Sequence, residues 1–171
     1  RSKAGEPLSI ELVFPGTSAL QKSLAEVFQG ELAKLGIHIA LRAVEDGALV
    51  RRQRDGDFGM IFADTWGAPY DPHSFVSSMR YAGHADYMAQ RGLAIKDELD
   101  RRIAQVLAST DEQQRAEQYR FILTTLHEQA VYLPISYLTA ISVRRASVAN
   151  VQFGSTLFDV PFEAMTPTQE H

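Results

Sequence analysis

The stretch Leu8-Ser-Ile-Glu-Leu-Val-Phe14 decides the fold of this chain. Apolar leucine, isoleucine and phenylalanine side chains occupy every second position, and this period of two predicts a β-strand with one apolar face. Pro15-Gly16 follows as a turn signal, and Thr17 or Ser18 is suitably placed to cap a helix. The strand should therefore lead directly into a helix.

The residues that follow repeat this alternation of strand and helix. Apolar side chains recur at helical spacing from Leu20 to Leu35, and residues 37–42 alternate as a second strand. Asp46 is a candidate cap for a short helix that stops near Gly56, and the compact apolar run over 58–63 predicts a buried strand. The order β-α-β-α-β predicts an α/β fold with a parallel sheet and right-handed crossovers.

The second half of the chain has a different pattern. Residues 65–91 are irregular and rich in Trp, Tyr, Pro, Gly and His. The later periodicity predicts a short helix over 74–79, helices over 95–107 and from a cap at Asp111 past Leu126, and strands over 131–137 and 140–143. The tail after Arg145 has weak periodicity.

Composition excludes several classes of protein. The chain has 171 residues, 45% of them hydrophobic, a formal net charge of −4 and no cysteine. This weak, mixed charge does not favour nucleic acid or an anionic membrane as a partner. No apolar run approaches the roughly 20 residues that cross a bilayer. Without cysteine, disulfides, thiolate-bound zinc and cysteine nucleophiles are excluded.

The loop after the third predicted strand is the first candidate binding site, because ligands of open α/β sheets bind beyond the carboxyl ends of the strands. Trp66 and Tyr70 lie there on a stretch that contains glycine and is stiffened by proline. Two interpretations stand side by side: these rings form a pocket wall, or they cover the end of the sheet as core.

Among the histidines, His84 is the candidate ligand. It follows Gly83 in a predicted flexible segment, Arg80 to Asp86, where a ring nitrogen could face a metal, although a lone loop histidine is commonly a surface residue. His73 is expected to make a structural hydrogen bond at a helix N-terminus, and His38 and His127 are expected to be structural or exposed. No His-x-x-x-His pair, phosphate-binding glycine loop or nucleophile elbow is present.

Longer matches identify a family. The runs Phe58-Gly-Met-Ile-Phe62, Thr65-Trp-Gly-Ala-Pro-Tyr-Asp-Pro-His-Ser-Phe75 and Ala130-Val-Tyr-Leu-Pro-Ile-Ser-Tyr137 resemble nickel-binding members of the dipeptide/oligopeptide-binding superfamily. These are periplasmic solute-binding components of ABC importers and are much longer than this chain. The resemblance implies the C-terminal lobe of a type II periplasmic-binding-protein-like fold. Residues 1–145 would form this second lobe, and residues 146–171 would return to the first.

The resemblance also implies functional residues. His84 would coordinate nickel directly, Trp66 and Tyr70 would form the aromatic wall, and Arg80 lies near the same segment. Pro69 stands where peptide-binding relatives place an aspartate that holds the peptide ammonium group. One imidazole cannot fill a Ni(II) coordination sphere, so a small chelator such as free histidine would supply the remaining nitrogen and oxygen ligands.

The resulting hypothesis is a non-enzymatic periplasmic protein that captures a nickel chelate for an ABC-transporter permease. One alternative is a dipeptide- or oligopeptide-binding lobe whose anchor has moved, and another is a metal-dependent hydrolase, which lacks a second ligand or general base beside His84. Phe158 stands where nickel-binding relatives can have a small hydroxyl residue. Without the first lobe and its carboxylate-pairing arginines, we expect weak binding and self-association through Val160, Phe162 and Met165.

Overall fold

A three-stranded parallel sheet forms the N-terminal part of the computed structural model, which describes residues 8–65, 71–137, 141–154 and 159–168. Its strands are β1 (Leu8–Pro15), β2 (Ile37–Val44) and β3 (Met60–Ile61), in the order β2-β1-β3. Both neighbours of β1 run parallel to it, and Leu12 lies opposite Leu41 on one side and Met60 on the other. The predicted β-α-β-α-β order is confirmed, although β3 is shorter than the predicted 58–63.

Two helices connect these strands. In α1 (Ala19–Ala33) the Ser18 hydroxyl caps the first turn by accepting from the Gln21 amide at 3.2 Å. The second helix, α2 (Asp46–Asp55), begins after Glu45, whose side chain makes no capping bond. The predicted cap at Asp46 is therefore wrong by one position, because Asp46 already has helical geometry. Its carboxylate instead lies in the first turn, where negative charge favours the helix dipole.

The apolar faces of these elements form one core cluster. It is built from side chains on the inner faces of β1, β2 and α1, namely Leu12, Phe14, Ala25 and Ile39, with Phe28 and Phe62 packed against it. Leu12 and Phe14 therefore face the helix layer, as the alternation predicts. Val13 between them is also buried, so the predicted single apolar face is wrong at this end of the strand.

The remaining helices form a second layer of packing. They are α3 (Pro72–Ser78), α4 (Ala85–Ala89), α5 (Lys96–Ala108) and α6 (Glu112–Glu128). Buried side chains of α3, α5 and α6, together with the residue that follows α3, form a separate cluster: Val76, Met79, Leu99, Ile103, Val106, Tyr119, Ile122 and Leu126. The three predicted helices of this half are confirmed, whereas α4 lies in a segment that we expected to be flexible.

The strands predicted over 131–137 and 140–143 are wrong for the residues that the structure describes there. Residues 131–137 and 141–145 join no ladder, and Tyr137, Ile141 and Val143 are strongly exposed. A strand is stabilised by hydrogen bonds to a neighbouring strand, and in the described parts of the chain this segment has none. Residue 140 lies outside them.

The tail contains a short antiparallel ribbon that the sequence did not indicate. Strand β4 (Val148–Ala149) pairs with β5 (Thr166–Pro167), and the Thr168 amide donates to the Ser147 carbonyl at 2.9 Å. Of the residues expected to mediate self-association, Phe162 is exposed, whereas Val160 and Met165 are half-buried. No helix in the described ranges combines the length and apolarity that crossing a bilayer requires.

Candidate functional site

The predicted aromatic wall lies outside the described residues. Both Trp66 and Tyr70 belong to the undescribed range 66–70, as does Pro69, and Phe158 belongs to another. Asp71 caps α3 by accepting from the His73 amide at 2.9 Å.

His73 has the structural role expected from its position at a helix start. Its Nδ1 lies 3.1 Å from the Tyr119 hydroxyl, so the ring links the start of α3 to α6. Tyr119 belongs to the second core cluster, and His73 is half-buried. This hydrogen bond gives His73 a structural role between the two helices.

His84 occupies a defined position between α3 and α4. It is the N-cap of α4, and its Nδ1 accepts from the Asp86 amide at 3.2 Å. Gly83 enters the turn with a φ of 90°, and a Cβ there would lie 3.0 Å from Cγ of Arg54. The positive φ therefore favours glycine, and an added Cβ would also require the Arg54 side chain to shift. The expected flexible loop is instead a tight turn that fixes the His84 backbone.

The two nitrogens of the His84 ring have different surroundings. Nδ1 faces the helix start, whereas Nε2 has no hydrogen-bond partner among the residues that the structure describes. The side chain is 46% exposed. The half-exposed ring is held at Nδ1, and Nε2 is the ring nitrogen without a partner in the described part of the chain.

Beneath the ring lies a buried polar group that the sequence reasoning missed. The Asp86 side chain is only 8% exposed, and its Oδ2 is 3.4 Å from His84 Nδ1. The Ser78 hydroxyl also contacts Oδ2, and the Tyr132 hydroxyl lies 3.3 Å from Oδ1. Gln90 in turn donates to that hydroxyl at 3.3 Å. The available signal was an aspartate two residues after a histidine at a possible helix start.

This environment raises the pKa of the Tyr132 phenol above its usual range. Burial of the hydroxyl is the larger cause, because it disfavours the phenolate, and the negative charge of Asp86 adds to it. Tyr132 therefore stays protonated and acts as a hydrogen-bonding group in the network around Asp86.

Arg80 is exposed and interacts with its neighbour. Its guanidinium donates to the Tyr81 hydroxyl at 3.0 Å and lies over that ring, 5.1 Å from the centroid. No described contact joins Arg80 to His84, so the structure does not bring these two predicted site residues together.

A complete metal site is not formed by the described residues, among which no group of three or more histidine, aspartate or glutamate side chains is suitably arranged. The arrangement offers one imidazole nitrogen, supported from behind by one buried carboxylate. Ni(II) prefers square-planar or octahedral sets of nitrogen and oxygen ligands. Chemically, the described site can anchor a metal complex at one point.

The N-terminal half of the chain identifies its family. Residues 2–87 match the family model for bacterial extracellular solute-binding proteins, family 5, in its middle part. The chain belongs to this family. Its α/β fold with a parallel sheet is that of the type II periplasmic-binding-protein-like proteins, as predicted.

Individual family 5 relatives are similar over much of the chain. The nickel-binding periplasmic protein of Escherichia coli (strain K12) is 50% identical over 169 residues, which are 99% of this chain and 32% of that protein. The probable di/tripeptide-binding protein 5 of Pseudomonas aeruginosa (strain UCBPP-PA14) is 29% identical over 75% of this chain and 24% of its own length.

A solved family 5 structure gives the same result. NikA from Brucella suis, crystallised in complex with Fe(III)-EDTA, superposes with a TM-score of 0.91 and 53% identity, covering 98% of this chain and 34% of that one. The chain therefore spans about a third of the length of these relatives.

Proposed function

We propose that this chain is part of a periplasmic solute-binding protein that captures nickel as a chelate and delivers it to the membrane permease of an ABC transporter. The observation that carries the proposal is the 50% identity, over 99% of the chain, to a protein named for nickel binding. The family supports a binding role in transport rather than catalysis. In this role the protein is a carrier and nickel is its cargo.

His84 is the proposed protein ligand. Its ring is half-exposed, its Nδ1 is held by the start of α4, and a neutral imidazole nitrogen is a suitable donor for Ni(II). A chelator then fills the remaining coordination positions. Fe(III)-EDTA in the Brucella suis relative supports recognition of a metal as a chelate. Free histidine, with an amine, an imidazole and a carboxylate, is the chelator that we propose here.

The other predicted site residues complete the proposal. Trp66 and Tyr70 would form an aromatic wall beside the chelate, and Arg80 would lie at its edge. We propose residues 1–145 as a second lobe and residues 146–171 as a segment that returns to a first lobe. Two lobes would close around the ligand, with arginines of the first lobe pairing with the carboxylates of the chelator.

The second candidate is a di- or tripeptide-binding lobe. The 29% identity to a Pseudomonas aeruginosa protein named for di/tripeptide binding favours it. Pro69 argues against it, because proline has no charge to hold the ammonium group of a peptide.

Calorimetry discriminates between the two candidates. The chain should be tested alone and as a hybrid in which it replaces the matching third of the Escherichia coli relative. We expect the hybrid to bind Ni²⁺ with free histidine more tightly than Ni²⁺ alone, and to bind dipeptides negligibly. Dipeptide binding without nickel–histidine binding would reject the nickel proposal in favour of the peptide alternative.

A further inference from the structure

We propose that Asp86 is a positioning residue for metal capture: when metal binds Nε2 of His84, Asp86 Oδ2 accepts a hydrogen bond from Nδ1–H and fixes the ring toward the metal. This inference rests on the proposed role of His84 as the nickel ligand. It assigns a function to the buried Asp86 carboxylate, which lies next to that ligand.

The hydrogen bond at the helix start determines where the ring proton lies without metal. The Asp86 amide donates to His84 Nδ1 at 3.2 Å, so Nδ1 needs a free lone pair. A neutral imidazole carries one ring proton, which must then be on Nε2. In this state Nε2 is a donor and cannot coordinate a metal.

Metal binding therefore requires the other tautomer. Nε2 releases its proton to water, and Nδ1 takes one from water, so the ring remains neutral with one proton. Nδ1–H can no longer accept from the Asp86 amide and needs an acceptor. Asp86 Oδ2 is such an acceptor and already lies 3.4 Å away. The same residue thus supports both states of the ring, by its amide without metal and by its carboxylate with metal.

The carboxylate is firmly placed for this role. Asp86 is 6% exposed, and its side chain is held by the Ser78 hydroxyl on one oxygen and by Tyr132 on the other. These partners belong to α3 and to the segment after α6, so the acceptor is fixed by the helical core rather than by the turn. A metal-binding histidine commonly donates its second ring N–H to such a carboxylate, and loss of that partner typically lowers metal affinity by roughly 10- to 100-fold.

Substitutions separate this role from stability. Asp86→Ala removes the acceptor, and Asp86→Asn keeps an amide oxygen that can accept from Nδ1–H. Asp111→Ala is the matched control, because it removes the capping carboxylate of α6, which makes no described contact with His84 or Asp86. The affinity of the chain for Ni²⁺ with free histidine should be measured by titration followed by NMR, which detects weak binding, together with each melting temperature.

The expected order of affinity supports the proposal: close to wild type for Asp111→Ala, intermediate for Asp86→Asn, and lowered by roughly 10- to 100-fold for Asp86→Ala. Affinity that follows the melting temperature across all three variants would overturn it, because that would indicate only a structural role. Wild-type affinity in a folded Asp86→Ala variant would also overturn it.

A spectroscopic readout distinguishes failure of this inference from failure of the proposed function. Nitrogen-15 NMR should find the His84 ring proton on Nε2 without metal and an exchangeable, paramagnetically shifted Nδ1–H signal with Ni²⁺ and histidine. That signal should exchange faster with water in Asp86→Ala; an unchanged exchange rate rejects the role of Asp86 alone. If His84→Asn binds nickel–histidine like the wild type, the proposed function fails, and this inference fails with it.

Discussion

Tyr132 shows how a residue far along the chain supports the candidate site. It approaches Asp86 from 46 positions away in sequence, and Phe75 packs edge-on against its ring. Its hydroxyl also accepts from Gln90, whose side chain is fully buried. The segment after α6 is thereby attached to the turn that carries His84, even though it forms no strand.

The raised pKa of Tyr132 predicts a specific loss of stability at alkaline pH. The folded chain holds the phenol proton more tightly than the unfolded chain does, so stability should fall as pH rises through the ordinary tyrosine pKa of about 10. Tyr132→Phe should cost about 1 kcal/mol at pH 7 through its lost hydrogen bonds, and its stability should decline less above pH 10. Urea unfolding from pH 7 to 11 measures both; parallel curves would contradict the prediction.

At the scale of single residues, the sequence indicated His84 as the candidate ligand but did not indicate Asp86. His84 was chosen through the family resemblance and the glycine before it, and its role stays a prediction. Asp86 acquires its significance from Ser78 and Tyr132, which are 8 and 46 residues away in sequence. Such a network depends on tertiary packing, so local pattern could not reveal it.

Helix starts show which local signals determine structure at the scale of elements. Asp111 caps α6 by accepting from the Gln114 amide at 2.8 Å, whereas the Glu45 side chain makes no capping bond at α2. Asp111→Ala should therefore destabilise the chain by about 1 kcal/mol, and the matched variant Glu45→Ala should be close to neutral. Chemical denaturation measures both. Equal losses would show that backbone geometry alone sets these helix starts.

Two glycines offer a second matched pair. Gly36 follows α1 with a φ of 76°, whereas Gly30 lies within α1, and an added Cβ would meet nothing within 4 Å at either position. Gly36→Ala should cost about 1 kcal/mol through its left-handed backbone. Gly30→Ala should stabilise the helix by roughly 0.5–1 kcal/mol. Because both positions have open space, comparing the free energies of unfolding of the two variants tests backbone conformation without packing effects. A change of the same sign in both variants would refute the prediction.

Sequence patterns predicted an element correctly when the signals for it lie within a few residues of one another. Periodicity, caps and turn residues within a few positions predict the longer helices and the first strands. Helix α4 was missed because five residues are too few to show a period. The apolar alternation over 131–137 was present, but a strand also needs a neighbour to pair with, which this pattern cannot specify.

At the scale of the whole molecule, the segment after α6 presents an unusual apolar surface. Ile141 and Val143 are 85% and 97% exposed, and Phe162 in the tail is exposed as well. Large exposed apolar surfaces commonly mark contacts with another protein part. The chain spans about a third of the length of its relatives. We propose that a first lobe covers this apolar surface.

The chain on its own should consequently self-associate. Light scattering should show dimers or larger species at high concentration, and the double variant Ile141→Lys with Val143→Lys should be more monomeric because charge opposes burial. Val50→Lys, at an exposed apolar position on α2, is the control and should leave association unchanged. A strictly monomeric wild-type chain would contradict this prediction.

Capture of nickel through one imidazole is the central claim, and His84→Asn tests it most directly. Asparagine is a strong helix cap, so it can replace Nδ1 as the acceptor at the start of α4 while it removes the metal ligand. Calorimetry of nickel–histidine binding should compare the wild type, His84→Asn and the exposed control His127→Ala, in the chain and in the hybrid protein. We predict an unchanged melting temperature and an affinity lowered by more than about tenfold for His84→Asn, with His127→Ala equal to the wild type. Wild-type affinity in a folded His84→Asn protein, or an equal loss in His127→Ala, would contradict the claim.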